Sequence, residues 1–315
     1  MLDSKKVVAL GFFDGVHLGH AALLNRARAV AKELDIEPAM LTFDRHPDEL
    51  VSGKPMALIN SAEDREYIVS RWFGIEKVIT IHFDREMMQM PWRDFVDMVR
   101  ETYGAVHFVV GHDFRFGFKG EGTAEKLKAL GEEQGFGCDI MPKVELDGVT
   151  VSSTYIRELV ADGRIEEANR FLGHPHLLTG TVRHGFKLGR KLGTPTINQK
   201  FEENIIVPRH GVYAAKLGVI GEEEIYPAVT NIGIRPTVSG DKAVSVESYL
   251  LDFDRDVYDM RVVCLFYSFM RPEVKFDSID ELGERIKADA INAKQIVENM
   301  QHEISQKKNY TAERL

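Results

Sequence analysis

Near the middle of this chain the spacing of apolar residues changes once, and that change constrains the fold more than any single motif. Up to Gln134, short apolar runs alternate with segments of helical spacing: VVAL then Leu18 to Leu34, AMLTF then a segment opened by Ser61 with Asp64 three residues on, KVITIHF then Pro91 to Tyr103, and VHFVVG then Thr123 to Gln134. This alternation predicts parallel strands with helices on both faces and a ligand at the carboxyl ends of the strands. Later the runs LLTGTVRHG, GVYAAKLGVI, IYPAVTNIG, AVSVESYLLDF and RVVCLFYSFM follow one another with only Gly and charge clusters between them. That pattern predicts an antiparallel barrel or sandwich. A helix should close the chain, because Ser278 and Glu281 stand at capping-box spacing ahead of a helical period; KKNYTAERL reads as a tail. The expected division is an α/β domain over 1–158, a helical linker over 159–176 and an all-β domain over 177–315, which suits 315 residues at about 150 per domain.

Bulk properties narrow the partners. A formal net charge of −9 disfavours a broad nucleic-acid or acidic-membrane surface, although small anions can still bind locally. Cys138 and Cys264 are too few and too far apart for a disulfide framework, which fits a reducing compartment. No apolar run reaches the roughly 18 residues of a membrane-spanning helix, and MLDSKK lacks the features of a signal peptide. The expectation is a cytoplasmic protein that engages neither nucleic acid nor membrane; its oligomeric state stays open.

Three segments carry chemistry. In VVALGFFDGVHLGH a buried strand runs into a helix through Gly11, Phe13, Asp14 and Gly15, so His17 and His20 lie where unpaired N–H groups and the helix dipole favour phosphate. Without a third ligand nearby the two histidines make an incomplete zinc site. In VSSTYIREL, Ser152, Ser153 or Thr154 can cap a helix whose first turn holds Arg157. A cation there opposes the dipole by about 0.3–1 kcal/mol. Either a bound anion explains it, or Arg157 pairs with a neighbouring carboxylate or lies in solvent. In VRHGFKLGRKLGTPTINQ, Gly185, Gly189 and Gly193 leave room for backbone to approach phosphate, with Lys187, Arg190 and Lys191 close in sequence. Neither G-x-G-x-x-G nor G-x-x-x-x-G-K-[ST] occurs at the first turn, which argues against a dinucleotide dehydrogenase or a P-loop NTPase.

Taken with LTFDRHP, VVGHDFRFG, AVTNIGIRPTV and SVESYLLDF, these segments resemble, in order from Val7 to about Ala293, the bacterial bifunctional riboflavin kinase/FAD synthetase family. The resemblance implies a Rossmann-like nucleotidylyltransferase domain followed by a Greek-key barrel with a C-terminal helix. It implies that ATP and Mg²⁺ serve conversion of riboflavin to FMN in the second domain, and that FMN becomes FAD in the first with release of pyrophosphate. His17 and His20 would then stabilise charge at the ATP phosphates, and Ser153, Thr154 and Arg157 would grip them. His46, Asp113, Phe114, Asn231 and Arg235 would face flavin, Thr196 and Asn198 would hold the metal, and Glu247 would take the riboflavin hydroxyl proton. On its own a glutamate in a strand ordinarily faces solvent, so the role of Glu247 rests on the match. Arg45 stands where the family has Pro, Thr194 where it has Phe and Ile197 where it has Ala. A flavin-binding regulator is the rival reading, but a sensor need not keep a base and metal ligands.

Overall fold

The structure is a computed structural model that describes residues 4–184, 196–202, 204–236 and 242–312. The chain divides into two compact units, one of residues 1–58 with 62–155, the other of 59–61 with 156–315.

In the first unit, strands β1 (Lys6–Leu10), β2 (Glu37–Phe43), β3 (Lys77–Ile81), β4 (Ala105–Gly111) and β5 (Gly137–Met141) form one parallel sheet in the order β3-β2-β1-β4-β5. The helices are α1 (Leu18–Leu34), α2 (Pro47–Ser52), α3 (Ala62–Phe73), α4 (Arg85–Gln89), α5 (Trp92–Tyr103) and α6 (Ala124–Gln134). Side chains alternate across a strand, so Val8, Leu10, Leu41, Phe108 and Val110 pack on the α5 and α6 residues Phe95, Val99, Leu127 and Leu130. Val7 and Ala9 point the other way, toward the face on which α1 packs and buries Leu24, Ala27 and Val30. The central strand is therefore buried along its whole length, as its continuous apolar run predicts. The strand order reverses beside β1, which puts the crevice of an open α/β sheet at its carboxyl end.

Helices α7 (Ser153–Ala161) and α8 (Ile165–Leu172) follow, and then β6 (His176–Arg183), β7 (Thr196–Lys200), β8 (Gly211–Val219), β9 (Ile225–Pro236), β10 (Lys242–Leu250) and β11 (Arg261–Arg271). These six close into an antiparallel barrel in the order β6-β7-β10-β9-β8-β11. Leu178, Val182, Ala215, Leu217, Ala228, Ile232, Val246 and Cys264 share its core with Phe266. A polar chain also runs through the core: Gln199 Nε2 donates to Ser248 Oγ at 2.8 Å, and the Ser248 and Thr230 hydroxyls bond at 2.8 Å. The last helix, α9 (Ile279–Ala312), opens with half of the expected capping box. Ser278 Oγ accepts from Glu281 N at 3.2 Å, but the Glu281 carboxylate reaches back to the N–H of Asp277 instead of Ser278. The helix continues through residues 307–312, which the sequence reads as tail; that stretch holds no Gly or Pro to stop it.

Candidate functional site

The first site grows from the turn after β1. Phe13, Gly15 and Val16 all have positive φ, at 59°, 81° and 42°. For Phe13 and Val16 this left-handed backbone costs on the order of 1–2 kcal/mol each, so the surroundings must hold the turn in place. Ser153 Oγ does so from the start of α7 by donating to the Asp14 carbonyl at 2.9 Å. Phe13, Asp14, Gly15 and Val16 are all buried.

The turn delivers His17 to the start of α1, where its Nδ1 caps the helix by accepting from His20 N at 3.3 Å. The two imidazoles stack at 3.7 Å with their planes 10° apart, and the Phe13 ring lies 5.0 Å from His20. The glycines between the motif's polar groups have steric reasons. A Cβ on Gly19 would come within 3.0 Å of the His17 ring, and one on Gly11 within 3.1 Å of the Phe13 ring. Burial first, then the neighbouring His17 and the Arg65 guanidinium, hold the His20 pKa well below the usual histidine value. His20 is therefore a neutral imidazole at neutral pH, and its buried Nδ1 has no hydrogen-bond partner among the described residues.

His46, Asp113 and Phe114 lie on loops at the carboxyl ends of strands, whereas Thr154 and Arg157 lie on α7. His46, after β2, caps α2 by accepting from Asp48 N at 3.2 Å and meets the Phe12 ring edge-on at 4.5 Å. Asp113 is exposed after β4, and Phe114 is half-buried with its ring stacked 5.4 Å from Phe116. Ser152 is the residue that caps α7, accepting from Tyr155 N at 3.3 Å. Thr154 is exposed in the first turn of that helix, and Arg157, half-buried, follows at its fifth position.

In the barrel, register alone brings distant residues together. Asn198 on β7 is paired with Glu247 on β10, and Glu247 is paired with Asn231 on β9. Directly opposed residues share a face, so the three form one row across three strands. Val246, Ser248, Thr230 and Ile232 turn inward, which puts the row on the outer face, where all three residues are half-buried. Thr196 lies two residues along β7 on that same face and also lines a cavity of about 370 Å³ with Val182, Ile197, Phe253, Arg255 and Tyr258. The Arg255 guanidinium is fixed by two 2.8 Å bonds to Glu222. Thr196 and Asn198 supply neutral oxygens beside the Glu247 carboxylate, a donor set that fits a hard divalent cation sharing its shell with phosphate. Among the described residues no cluster of three His, Cys, Asp or Glu side chains forms a self-sufficient metal site. Of the remaining expected residues, Arg235 lies at the end of β9, while Gly185, Gly189, Arg190 and Gly193 fall outside the described residues.

Sequence reading missed two supports. Glu273 accepts from Asn231 Nδ2 at 3.0 Å and lies so close over Gly233 that a Cβ there would meet its Oε1 at 2.3 Å. Arg65 lies fully buried beneath the β1 turn. A glutamate just after a strand and an arginine within a helix carry no local signal of either role.

The chain thus joins a parallel α/β unit, with its turn and helix start after β1, to a closed antiparallel barrel that carries a row of polar side chains on one outer face. The FAD synthetase family model matches residues 1–155, and the riboflavin kinase family model matches residues 172–297. Bifunctional riboflavin kinase/FMN adenylyltransferases of Listeria monocytogenes and Pseudomonas fluorescens are each 36% identical to this chain, covering 91% and 94% of it and the same shares of their own lengths. The Bacillus subtilis protein of the same name is 34% identical over 95% of this chain and 94% of its own. A crystal structure titled as a macrolide-efflux protein from Streptococcus pneumoniae superposes with a TM-score of 0.78 at 30% identity, covering 92% of this chain and 94% of that one. Among the described residues here, no helix is long and apolar enough to cross a membrane. The chain belongs to the bifunctional riboflavin kinase/FMN adenylyltransferase family.

Proposed function

We propose that this chain makes both flavin cofactors in sequence, phosphorylating riboflavin to FMN in the barrel domain (177–315) and adenylylating FMN to FAD in the α/β domain (1–158), with 159–176 as the helical linker. The reading is carried by two family matches in one chain, FAD synthetase first and riboflavin kinase second.

In the kinase reaction the riboflavin 5′-hydroxyl oxygen attacks the γ-phosphorus of ATP, and ADP leaves. Glu247 accepts the hydroxyl proton, a task for a carboxylate held at hydrogen-bond distance from the nucleophile. Asn231 orients the flavin side of the site, tethered by Glu273, and Arg235 is assigned to the same side. Thr196 and Asn198 would hold Mg²⁺, which when bound neutralises charge on the ATP phosphates. Gly185, Gly189, Arg190 and Gly193 are assigned to those phosphates.

In the adenylyl transfer an FMN phosphate oxygen attacks the α-phosphorus of ATP, and pyrophosphate leaves. Little covalent help is needed; the work is positioning and charge stabilisation. Neutral His20 and its stacked partner His17 present ring nitrogens where charge develops, and Gly11, Phe13, Asp14 and Gly15 shape the turn beside them. Ser153, Thr154 and Arg157 grip the phosphates, and His46, Asp113 and Phe114 receive the flavin. The working place of such an enzyme, which consumes ATP and supplies cofactors, is the cytoplasm.

The test is chromatography of flavins after incubation with ATP and Mg²⁺, one reaction started from riboflavin and one from FMN. FAD is expected in both. FMN alone from riboflavin with none converted in the second reaction would confine catalysis to the barrel, and unchanged flavin in both would leave the regulator reading.

A further inference from the structure

Arg65, on α3, is fully buried. A guanidinium out of water is costly unless its donors are used and its charge is needed. Its donors converge on the ends of two strands. Nη1 donates to the Phe12 carbonyl and, at 2.8 Å, to Thr42 Oγ1, and Nη2 donates to the Phe43 carbonyl at 3.0 Å. Thr42 Oγ1 itself donates to the Phe12 carbonyl at 2.8 Å. The Phe12 carbonyl, one residue before the left-handed turn, is thus held by two donors.

The same guanidinium lies 4.4 Å from the centroid of the Phe12 ring, whose other contact is the edge-on imidazole of His46. One side chain therefore ties the turn that carries His17 and His20 to the end of β2 and, through Phe12, to the loop that carries His46. Its charge matters too. Burial does most to lower the His20 pKa, and the charged groups that add to it are His17, at the start of the same helix, and then Arg65, from the packed helix α3.

We propose that Arg65 is a positioning residue for adenylyl transfer, clamping the strained turn after β1 in its working shape. This rests on the adenylyltransferase reading of the first unit. The bridge and the charge of this one side chain can be separated by substitution. Lysine keeps the charge but cannot span three acceptors, and glutamine keeps some hydrogen bonding without the charge.

The experiment uses the full chain and its Arg65→Lys and Arg65→Gln variants. It measures FAD formation from FMN across pH, FMN formation from riboflavin, and the titration of the His20 imidazole by NMR. FAD formation should fall roughly 10²-fold in both variants, as misplacement of a catalytic group does, while riboflavin phosphorylation stays within about twofold of the parent. In Arg65→Gln the acid limb of the rate profile and the His20 midpoint should both rise; in Arg65→Lys neither should move. A side chain that only stabilised the fold would lower the rate equally at every pH and leave the midpoint alone. FAD formation within threefold of the parent in both variants, or an unmoved His20 midpoint in Arg65→Gln, overturns the proposal. If Arg65→Gln does not fold, Thr42→Val removes one of the two donors to Phe12, and a rate unchanged there and in Arg65→Lys overturns it as well. A parent chain that forms no FAD from FMN while the His20 midpoint still responds to Arg65→Gln would instead defeat the adenylyltransferase reading.

Discussion

In the first unit the candidate residues depend on a turn that local preferences resist, whereas in the barrel they lie in a row that strand pairing creates without effort. Phe13 and Val16 keep their left-handed backbone where Ser153, Thr42 and Arg65, all remote in sequence, hold the neighbouring carbonyls. Asn198, Glu247 and Asn231 need no such clamp, because antiparallel register sets their spacing and the inward packing of Val246 and Ile232 sets their direction. A site built on strain should lose activity through small changes in its supports. A site built on register should lose it when its own side chains change, or when Glu273, which holds Asn231, is lost.

The largest effect expected from this contrast is in the barrel. Glu247→Gln should lower FMN formation by about 10²–10⁴-fold, the range for loss of a general base, while conversion of supplied FMN to FAD stays near the parent rate. Equal loss of both would mean that the two sites are not separate. His20→Ala should do the reverse, with FAD formation down by about 10²-fold and kinase activity retained, read by the same flavin chromatography.

A sharper test of the strained site is Gly19→Ala. Alanine is a better helix former than glycine by about 1 kcal/mol, so the melting temperature should hold or rise. The new Cβ, within 3.0 Å of the His17 ring, should still unstack the imidazoles and slow FAD formation about tenfold. A stabler protein with undiminished FAD synthesis would show that the stack is dispensable.

The smallest effect concerns stability alone. His176, on the first barrel strand, is fully buried, neither ring nitrogen has a hydrogen-bond partner among the described residues, and burial followed by the neighbouring His174 pushes its pKa from 6.5 down to about 3. The unfolded chain takes up a proton below pH 6.5 and the folded one does not. Its contribution is therefore intact above that pH and is lost at up to about 1.4 kcal/mol per pH unit as the solution is acidified toward pH 3. His176→Leu should flatten this part of the acid unfolding curve, measured by denaturant titration between pH 7 and pH 4; curves that stay parallel would assign the acid sensitivity to other groups.

Much of the fold was legible because it follows from period. The apolar run at Val7–Leu10 reads as a covered strand and is one, and Val-Ser-Val-Glu-Ser alternates as a half-covered strand does. The H-x-G-H spacing places two histidines at the start of a helix, as the structure has them, and its Gly has a steric reason in the His17 ring. What stayed illegible depends on long-range partners. Arg65 sits in AEDREYIVSRWF, where an arginine reads as a solvated helix face, and only the packing of α3 beneath β1 and β2 reveals three acceptors waiting for it. The positive φ of Phe13 and Val16 was equally hidden, because neither residue type favours that backbone. Helix α9 ran past its expected end because charge alone does not stop a helix.

The barrel's register also limits how this enzyme can change over evolutionary time. Gaining or losing one residue within β10 would carry Glu247 from the outer face to the interior and bring Val246 or Ser248 out in its place, breaking the Gln199–Ser248–Thr230 chain as well. Length variation in descendants of this chain should therefore gather in the turns between barrel strands, while the strands themselves diverge by substitution only.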